Sequence, residues 1–343
     1  MIEQVKIDSL ESKDNLDVID FLDEVLDRPV DKINWDWEFN RKGTLFHYCK
    51  SENKIIATQS MLPINLTYGI KKVKSYKSES TFIVKEFRGK KIFEGLYSSI
   101  VLDVWQNNGQ LIWGFTPAIK AWKNNFNFNS NIDSIYSVQT RFRIDNQTNK
   151  TIDYFKKFIG IPILFLNRLS LKSGQKKIKI KSIESNRKMF ELNKKFLISN
   201  QYLGIDLDQD YLEWRLNQNT FLNYNYLEIL VQNEKIGFAI YTVSNGCANL
   251  TSIRILDEKF LKVSLGSLCD FILNKHQEAK HISYWGNIEN KLNKTIFSYL
   301  NRRFASKKRL DKSRILVYKF NKLEEIPSEK WLIDSLWTEG III

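Results

Sequence analysis

The sequence predicts an α/β (α+β) protein built from two tandem copies of one unit, each a mixed, mostly antiparallel sheet flanked by helices. Three observations carry this. The chain has 343 residues, roughly twice the size of an ordinary domain of about 150 residues. "IVKEFRGKKIFEGL" (83–96) aligns without a gap on "ILDEKFLKVSLGSL" (255–268), and at the same offset Trp113-Gly114 falls on Trp285-Gly286. "WEF" (37–39) matches "WRL" (214–216), and "NKIIATQSM" (53–61) follows the pattern of "NEKIGFAIY" (233–241). Self-similarity of this kind is the signature of a repeated structural unit. The units are expected at 1–171 and 172–343.

Each element follows from local pattern. "LDVIDFLDEVL" (16–26) places apolar residues at helical spacing. From about 45, short β-rich runs broken by polar turns predict an antiparallel meander. Phe93, Leu96, Tyr97, Ile100, Val101, Val104 and Trp105 recur at helical steps and mark a helix packed by one face. "QLIWGF" (110–115) reads as a buried strand, and "AIKAWKNNF" (118–126) as a second short helix. "KSGQKKIKIKS" (172–182) is a linker or the edge of the next unit, after which the same order returns.

Composition narrows the function classes. Hydrophobic residues are 43% of the chain and aromatics 13%, enough to build cores and to exclude global disorder. The balance of 52 Lys+Arg against 39 Asp+Glu, a formal charge of +13, favours anionic partners without choosing among them. Cys49, Cys247 and Cys269 form neither a metal pair nor a disulfide framework, so a reducing cytoplasm is expected. His47, His276 and His281 lack zinc-ligand spacing, and no metal is expected. The polar, acidic N-terminus argues against a secretory signal, and no apolar run approaches the roughly 18 residues that span a bilayer.

The stretch "TFIVKEFRGKKIF" (81–93) runs from strand through turn into helix. Such a turn presents free backbone N–H groups and the positive end of the helix dipole, a ready pyrophosphate site that flanking Lys or Arg strengthen. The Gly-Lys-Ser/Thr ending of a P-loop is absent, as is the Gly-x-Gly-x-x-Gly of a dinucleotide fold. In the second copy Arg88-Gly89 becomes Phe260-Leu261, so only the first copy is expected to bind phosphate.

These residues resemble motif A of the GNAT (Gcn5-related) acyltransferase superfamily, through Val84, Arg88, Gly89, Lys90, Lys91, Ile92 and Phe93. The resemblance implies two tandem GNAT-like units and a cofactor role, as co-substrate, for coenzyme A or acyl-CoA. The turn amides would hold its pyrophosphate, and the thioester would sit where the strand splays from its neighbour. Phe82, Ile83, Val84 and Trp122 would line the cofactor beside the turn. Two positions depart from the family. Lys91 replaces the second glycine, acceptable if its φ stays below zero with the ammonium facing the phosphates, and Phe93 replaces Gly/Ala.

Acyl transfer to an amine needs a base, an oxyanion donor and a proton for the leaving thiolate. Glu79, on the lead-in to the strand, is the first candidate base and His47 the second, although a lone His among aromatics also suits a packed core position. A backbone N–H near Ile83 or Val84 would meet the oxyanion. The family's Tyr has no counterpart in "AIKAWKNNF", where Trp122 and Lys123 lie nearest, leaving Lys123 or water as the acid.

Tandem chains with a working first copy and a degenerate second resemble bacterial sugar N-acyltransferases. The resemblance implies transfer of an acetyl or 3-hydroxybutanoyl-type group to the amine of a nucleotide-linked amino-dideoxy sugar, such as a dTDP-amino sugar, for O-antigen or lipopolysaccharide biosynthesis. Arg254, Asp257, Trp285 and Asn287 of the second copy are then expected to bind the sugar nucleotide, by stacking and by charge. The alternatives are a Fem-like enzyme using charged tRNA, or a non-enzymatic nucleic-acid-binding or scaffold protein. No helix-turn-helix, RRM or zinc signature supports the last. No stable nucleic-acid partner is expected, and the protein is expected to be a monomer or a dimer.

Overall fold

The computed structural model describes residues 6–9, 16–26, 30–116, 122, 126, 128–143, 166, 178–184, 188–301, 305–309, 314–320 and 323–338. The expected helix over 118–126 falls almost wholly outside them. The first half runs through β1 (Lys6–Ser9), α1 (Leu16–Val25), α2 (Lys32–Glu38), β2 (Leu45–Ser51), β3 (Lys54–Pro63), β4 (Leu66–Tyr68), β5 (Lys71–Val73) and β6 (Ser75–Ile83). It continues with α3 (Ile92–Gln106), β7 (Leu111–Thr116), β8 (Asn129–Ile132) and β9 (Ile135–Arg141). The second half has β10 (Ile178–Ile183), α4 (Met189–Asn200), β11 (Leu203–Ile205) and α5 (Gln209–Tyr211), which widens into a π turn over Leu212–Asn217. β12 (Asn225–Val231), β13 (Glu234–Ser244), β14 (Cys247–Ile255), α6 (Leu261–Lys275), β15 (His281–Asn287), α7 (Lys291–Leu300), β16 (Ala305–Arg309) and β17 (Arg314–Lys319) follow. The basic stretch before 183 thus ends in β10, an edge strand of the second sheet.

The duplication is visible in the pairing. The first sheet has the order β1-β2-β3-β6-β7-β17-β8 and the second β10-β12-β13-β14-β15-β9-β16. In each, an antiparallel meander ends on a parallel pair, β6 with β7 and β14 with β15. The hairpins correspond as well. Glu52-Asn53 joins β2 to β3 with both φ positive, and Gln232-Asn233 joins β12 to β13 likewise, as a two-residue type I′ turn requires.

Two strands cross the division at 171/172. β9, from the first half of the chain, pairs with β15 and β16 in the second sheet. β17, from the second half, pairs with β7 and β8 in the first. Each sheet therefore completes its parallel pair with a strand from the other half, and the small sheet β11-β4-β5 also spans both. The tryptophans of "WEF" and "WRL" meet between the two halves of the chain. Trp37 and Trp214 are stacked with centroids 5.9 Å apart, and each indole N–H donates to the other's carbonyl at 2.7 Å. Around them Trp113, Trp331 and Trp337 form one buried core with residues from both halves.

The end of the described chain fills the second sheet from within. β14 and β15 pair only from Cys247↔His281 to Leu250↔Tyr284. In the gap beyond, Ile333 O accepts from the Asn287 amide and the Asn293 side chain, and Leu332 N–H donates to Leu203 O. Arg254 of β14 pairs with Asp334 at 2.9 Å, both fully buried. A buried pair with one partner removed leaves a charge in a low dielectric. Asp334→Ala should therefore lower unfolding free energy by about 3–5 kcal/mol, read from urea unfolding midpoints.

Candidate functional site

The first sheet opens where β6 and β7 part. They pair from Ser75↔Leu111 to Lys77↔Trp113, and among the described residues no pairing joins Ser78–Ile83 to Gly114–Thr116. The cause lies on the other edge of β6. Its register against β3 shifts between Thr58↔Phe82 and Ser60↔Glu79, and Ser80 takes a left-handed φ of 48°. This β-bulge bends β6 away from β7. Side chains of β3 hold the bulge: Ser60 and Gln59 donate to Glu79 O, and Thr58 donates to Ser80 O. The resulting cleft is about 160 Å³, lined by Ser78, Glu79, Ser80, Thr81, Phe115 and Trp122, among others. Trp122 is buried against Phe93 and Tyr97, with ring centroids 4.9 and 4.3 Å away, so α3 and Trp122 share one aromatic floor. Burial pushes the Tyr97 phenol well above its ordinary pKa.

At the end of β6, Lys85–Phe87 makes a single 3-10 turn and the chain enters α3 through Arg88, Gly89, Lys90 and Lys91, all exposed. Gly89 has φ +81°, and no atom lies within 4 Å of where a Cβ would stand; conformation, rather than space, asks for glycine there. Lys91 also turns left-handed, with φ 60° and ψ 15°. The expectation of a negative φ at Lys91 is thus corrected. The backbone keeps the shape glycine would give it, at a cost of about 1–2 kcal/mol for an L-residue. Among the described residues, none accepts a hydrogen bond from the amides of Gly89, Lys90, Lys91, Ile92 or Phe93. With the dipole of the 15-residue α3 behind them, these donors form an anion cradle. Arg88 curls back so that its Nε donates to Ile83 O at 3.0 Å, which leaves the two terminal nitrogens of the guanidinium for the cradle. The Lys90 ammonium sits 4.7 Å from the Phe87 ring.

The second copy loses this cradle in a definite way. In the ungapped alignment Leu261 takes the place of Gly89, and α6 begins at Leu261 itself. The helix starts three residues earlier than α3 in the alignment, so the equivalents of the cradle residues lie inside helical geometry.

Of the other cofactor-side residues, Ile92 is buried beneath α3 with Ile83 packed on the same cluster, and Phe93 is half-buried. Phe82 and Val84 pack toward α1 instead, Phe82 edge-on to Phe21 at 5.8 Å. The Val84 N–H donates to Ile56 O at 2.9 Å and is therefore unavailable to an oxyanion.

Glu79 lines the cleft and bonds the Lys77 ammonium at 2.5 Å. Lys77 is 1% exposed. Burial lowers its pKa, opposed by the charge and hydrogen bond of Glu79. His47, the second candidate base, is 3% exposed and its Nε2 lies 2.8 Å from Asp103 Oδ2 on α3. It stands on β2, separated from β6 by β3, and does not reach the cleft: this is a packed position. Lys123 lies outside the described residues.

The residues expected to bind substrate are dispersed. Arg254 is neutralised by Asp334 and donates to Asn193 and Ile253 O. Asn287 is fully buried and donates to Ser328 O and Trp331 O. Both are corrected to structural positions holding the C-terminal segment in the second sheet. Asp257 is an exposed cap for Lys259 at the far end of β14. Of the four, Trp285 alone lines a cavity, one of about 550 Å³ in the second unit, together with Arg215, Tyr224 and Ser335. Its ring meets Phe115 of the first cleft edge-on at 6.0 Å. Sequence reading missed Lys77, Arg215 and Tyr224. A lysine two residues from Glu79 on one strand face was the available signal for Lys77. Arg215, inside the repeated "WRL", offered none beyond its charge.

Among the described residues no group of His, Cys, Asp or Glu could hold a metal ion, and no helix is long and apolar enough to cross a membrane. No protein-family model matches the chain, and no curated protein matches it. Its similarity is to solved structures. A probable N-acyltransferase of Enterococcus faecalis V583 superposes with TM-score 0.67 at 10% identity, over 92% of this chain and 72% of that one. A tandem GNAT protein from the clavulanic acid biosynthesis pathway matches with TM-score 0.56 at 9% identity, over 92% and 98%. Saccharomyces cerevisiae N-myristoyltransferase with bound myristoyl-CoA matches with TM-score 0.59 at 13% identity, over 94% and 81%. At such identities the likeness is one of fold, and the fold is the duplicated GNAT architecture.

Proposed function

We propose that the protein is a cytoplasmic, acyl-CoA-dependent N-acyltransferase whose first unit binds the acyl-CoA. The acceptor is the amine of a nucleotide-linked amino-dideoxy sugar, and the acyl group is of the acetyl or 3-hydroxybutanoyl type, for surface polysaccharide assembly. The observation that carries the reading is the free-amide turn at Gly89–Phe93, which leads into α3 directly after β6, the strand that parts from β7 beyond Lys77 to leave a cleft. Arg88, Lys90, Lys91 and the turn amides meet the pyrophosphate. The unpaired edges of β6 and β7 offer backbone partners to the pantetheine amides, and Trp122 with Phe115 supplies apolar contact beside the thioester.

Glu79 then accepts the proton that leaves the acceptor amine as it attacks the thioester carbonyl. The N–C bond forms, the C–S bond breaks, and the departing thiolate takes a proton from water. The Lys77 ammonium, 2.5 Å from this carboxylate, holds it in place on the cleft wall.

Thermal unfolding with added ligand tests the first half of the reading. Acetyl-CoA at about 100 times its Kd should stabilise the protein by about 2.7 kcal/mol through mass action, with no comparable effect from charged tRNA. Release of free thiol on adding a dTDP-amino sugar tests the second half. A melting temperature indifferent to CoA and acyl-CoA alike sinks the proposal.

A further inference from the structure

We infer that the 550 Å³ cavity of the second unit is the acceptor pocket, and that Arg215 is the side chain in it that recognises an anionic group of the acceptor. This rests on the acyltransferase reading for the word acceptor; the anion site itself does not.

Arg215 is 1% exposed. Its Nε donates to Thr338 O at 2.9 Å and its Nη1 donates to the Tyr224 hydroxyl. Its Nη2 is buried and, among the described residues, has no hydrogen-bond partner. Nor, among those residues, does any carboxylate pair with it. The contrast with Arg254 is direct, since that equally buried guanidinium has Asp334 at 2.9 Å. A buried guanidinium without a counter-charge is costly to keep, and an anion supplied by a ligand removes the cost. Two donors held by the protein fix the plane of the fork, so the remaining nitrogen has a set direction.

The rest of the wall suits one ligand chemistry. Trp285 presents a ring for stacking, Thr251 and Ser335 offer hydroxyl groups, and Lys308 adds a second cation. A flat ring, a polyhydroxylated body and a phosphate or carboxylate would each find a partner, as in a nucleoside diphosphate. The cavity neighbours the reaction cleft, the two being separated by the edge-on rings of Phe115 and Trp285.

The test is isothermal titration calorimetry on the full-length protein with three probes: dTDP, inorganic pyrophosphate and galacturonate, with CoA titrated in parallel. The wild type should bind dTDP, and Arg215→Gln should weaken it about tenfold or more while CoA affinity stays unchanged. Preference for dTDP over galacturonate identifies phosphate as the anion, and the reverse identifies carboxylate. Should Arg215→Gln fail to fold, Ser335→Asp places a carboxylate in the same wall and should abolish binding. A wild type that binds none of the three probes overturns the inference, as does an Arg215→Gln or Ser335→Asp variant that binds like wild type. Arg215-dependent binding of dTDP without any binding of CoA would leave this site standing and remove the acyltransferase reading. CoA binding with no probe bound would do the opposite.

Discussion

Replacing Arg88 by Glu weakens CoA binding by about 10- to 100-fold or more and leaves the unfolding transition almost where it was. The side chain is exposed, and its internal bond, to Ile83 O at 3.0 Å, lies at the surface where water can replace it. What the variant changes is the cradle. A carboxylate then stands beside free amides that would receive a pyrophosphate, where it repels that anion and competes with it for the positive end of the helix dipole. The second unit supplies the control: Phe260→Glu alters the equivalent position, the N-cap from which α6 starts at the very next residue, and should leave CoA binding as it is. Calorimetric titration of CoA into both variants decides the matter. An unchanged Kd for Arg88→Glu removes the turn from the binding site.

The second large effect is on turnover. Glu79→Ala should lower kcat by about 10²–10⁴-fold with a much smaller change in the KM for acyl-CoA, the pattern of a group that acts in the chemical step. The same change strips the buried Lys77 ammonium of the partner at 2.5 Å, so the protein should also lose stability, by about 3–5 kcal/mol. Glu79→Gln separates the two effects. Its amide oxygen still accepts from Lys77 but cannot take a proton, so most stability should return while kcat stays low. If Glu79→Gln turns over at the wild-type rate, Glu79 is a partner for Lys77 and not the base.

Much of the fold was legible because it is local. The 3.6-residue period of α3, the hairpin turns at Asn53 and Asn233, and the strand before Arg88 are all written in runs of fewer than 20 or so residues, about the length over which propensity and periodicity act. The repeat was legible because two copies under the same packing rules retain the same pattern. The site was legible in part. Arg88-Gly89 showed itself through chemistry that a turn at a helix N-terminus imposes, whereas Lys91 was misread because a left-handed conformation leaves little trace when the residue is not glycine. His47 was misplaced because alternation along β2 shows that one face is buried but not which element covers it; Asp103 of α3 does. Arg254 and Asn287 were assigned to a ligand because nothing near them in sequence shows the segment at 331–334 that occupies their surroundings.

What the sequence by itself determined is the duplicated unit, the element order within each copy, and the strand-to-helix turn at Arg88-Gly89 that one copy keeps and the other has lost. Only the tertiary structure decided three things. β9 and β17 are exchanged between the sheets, the segment at 331–334 fills the gap beside β15, and Arg215 lines a cavity with its buried Nη2 unpartnered among the described residues. The physical reason is common to all three. Strand partners, the filling of a gap and the counter-ion of a buried charge are set by contacts between residues far apart in the chain, where loop-closure entropy is outweighed by burial and hydrogen bonding that no local window contains.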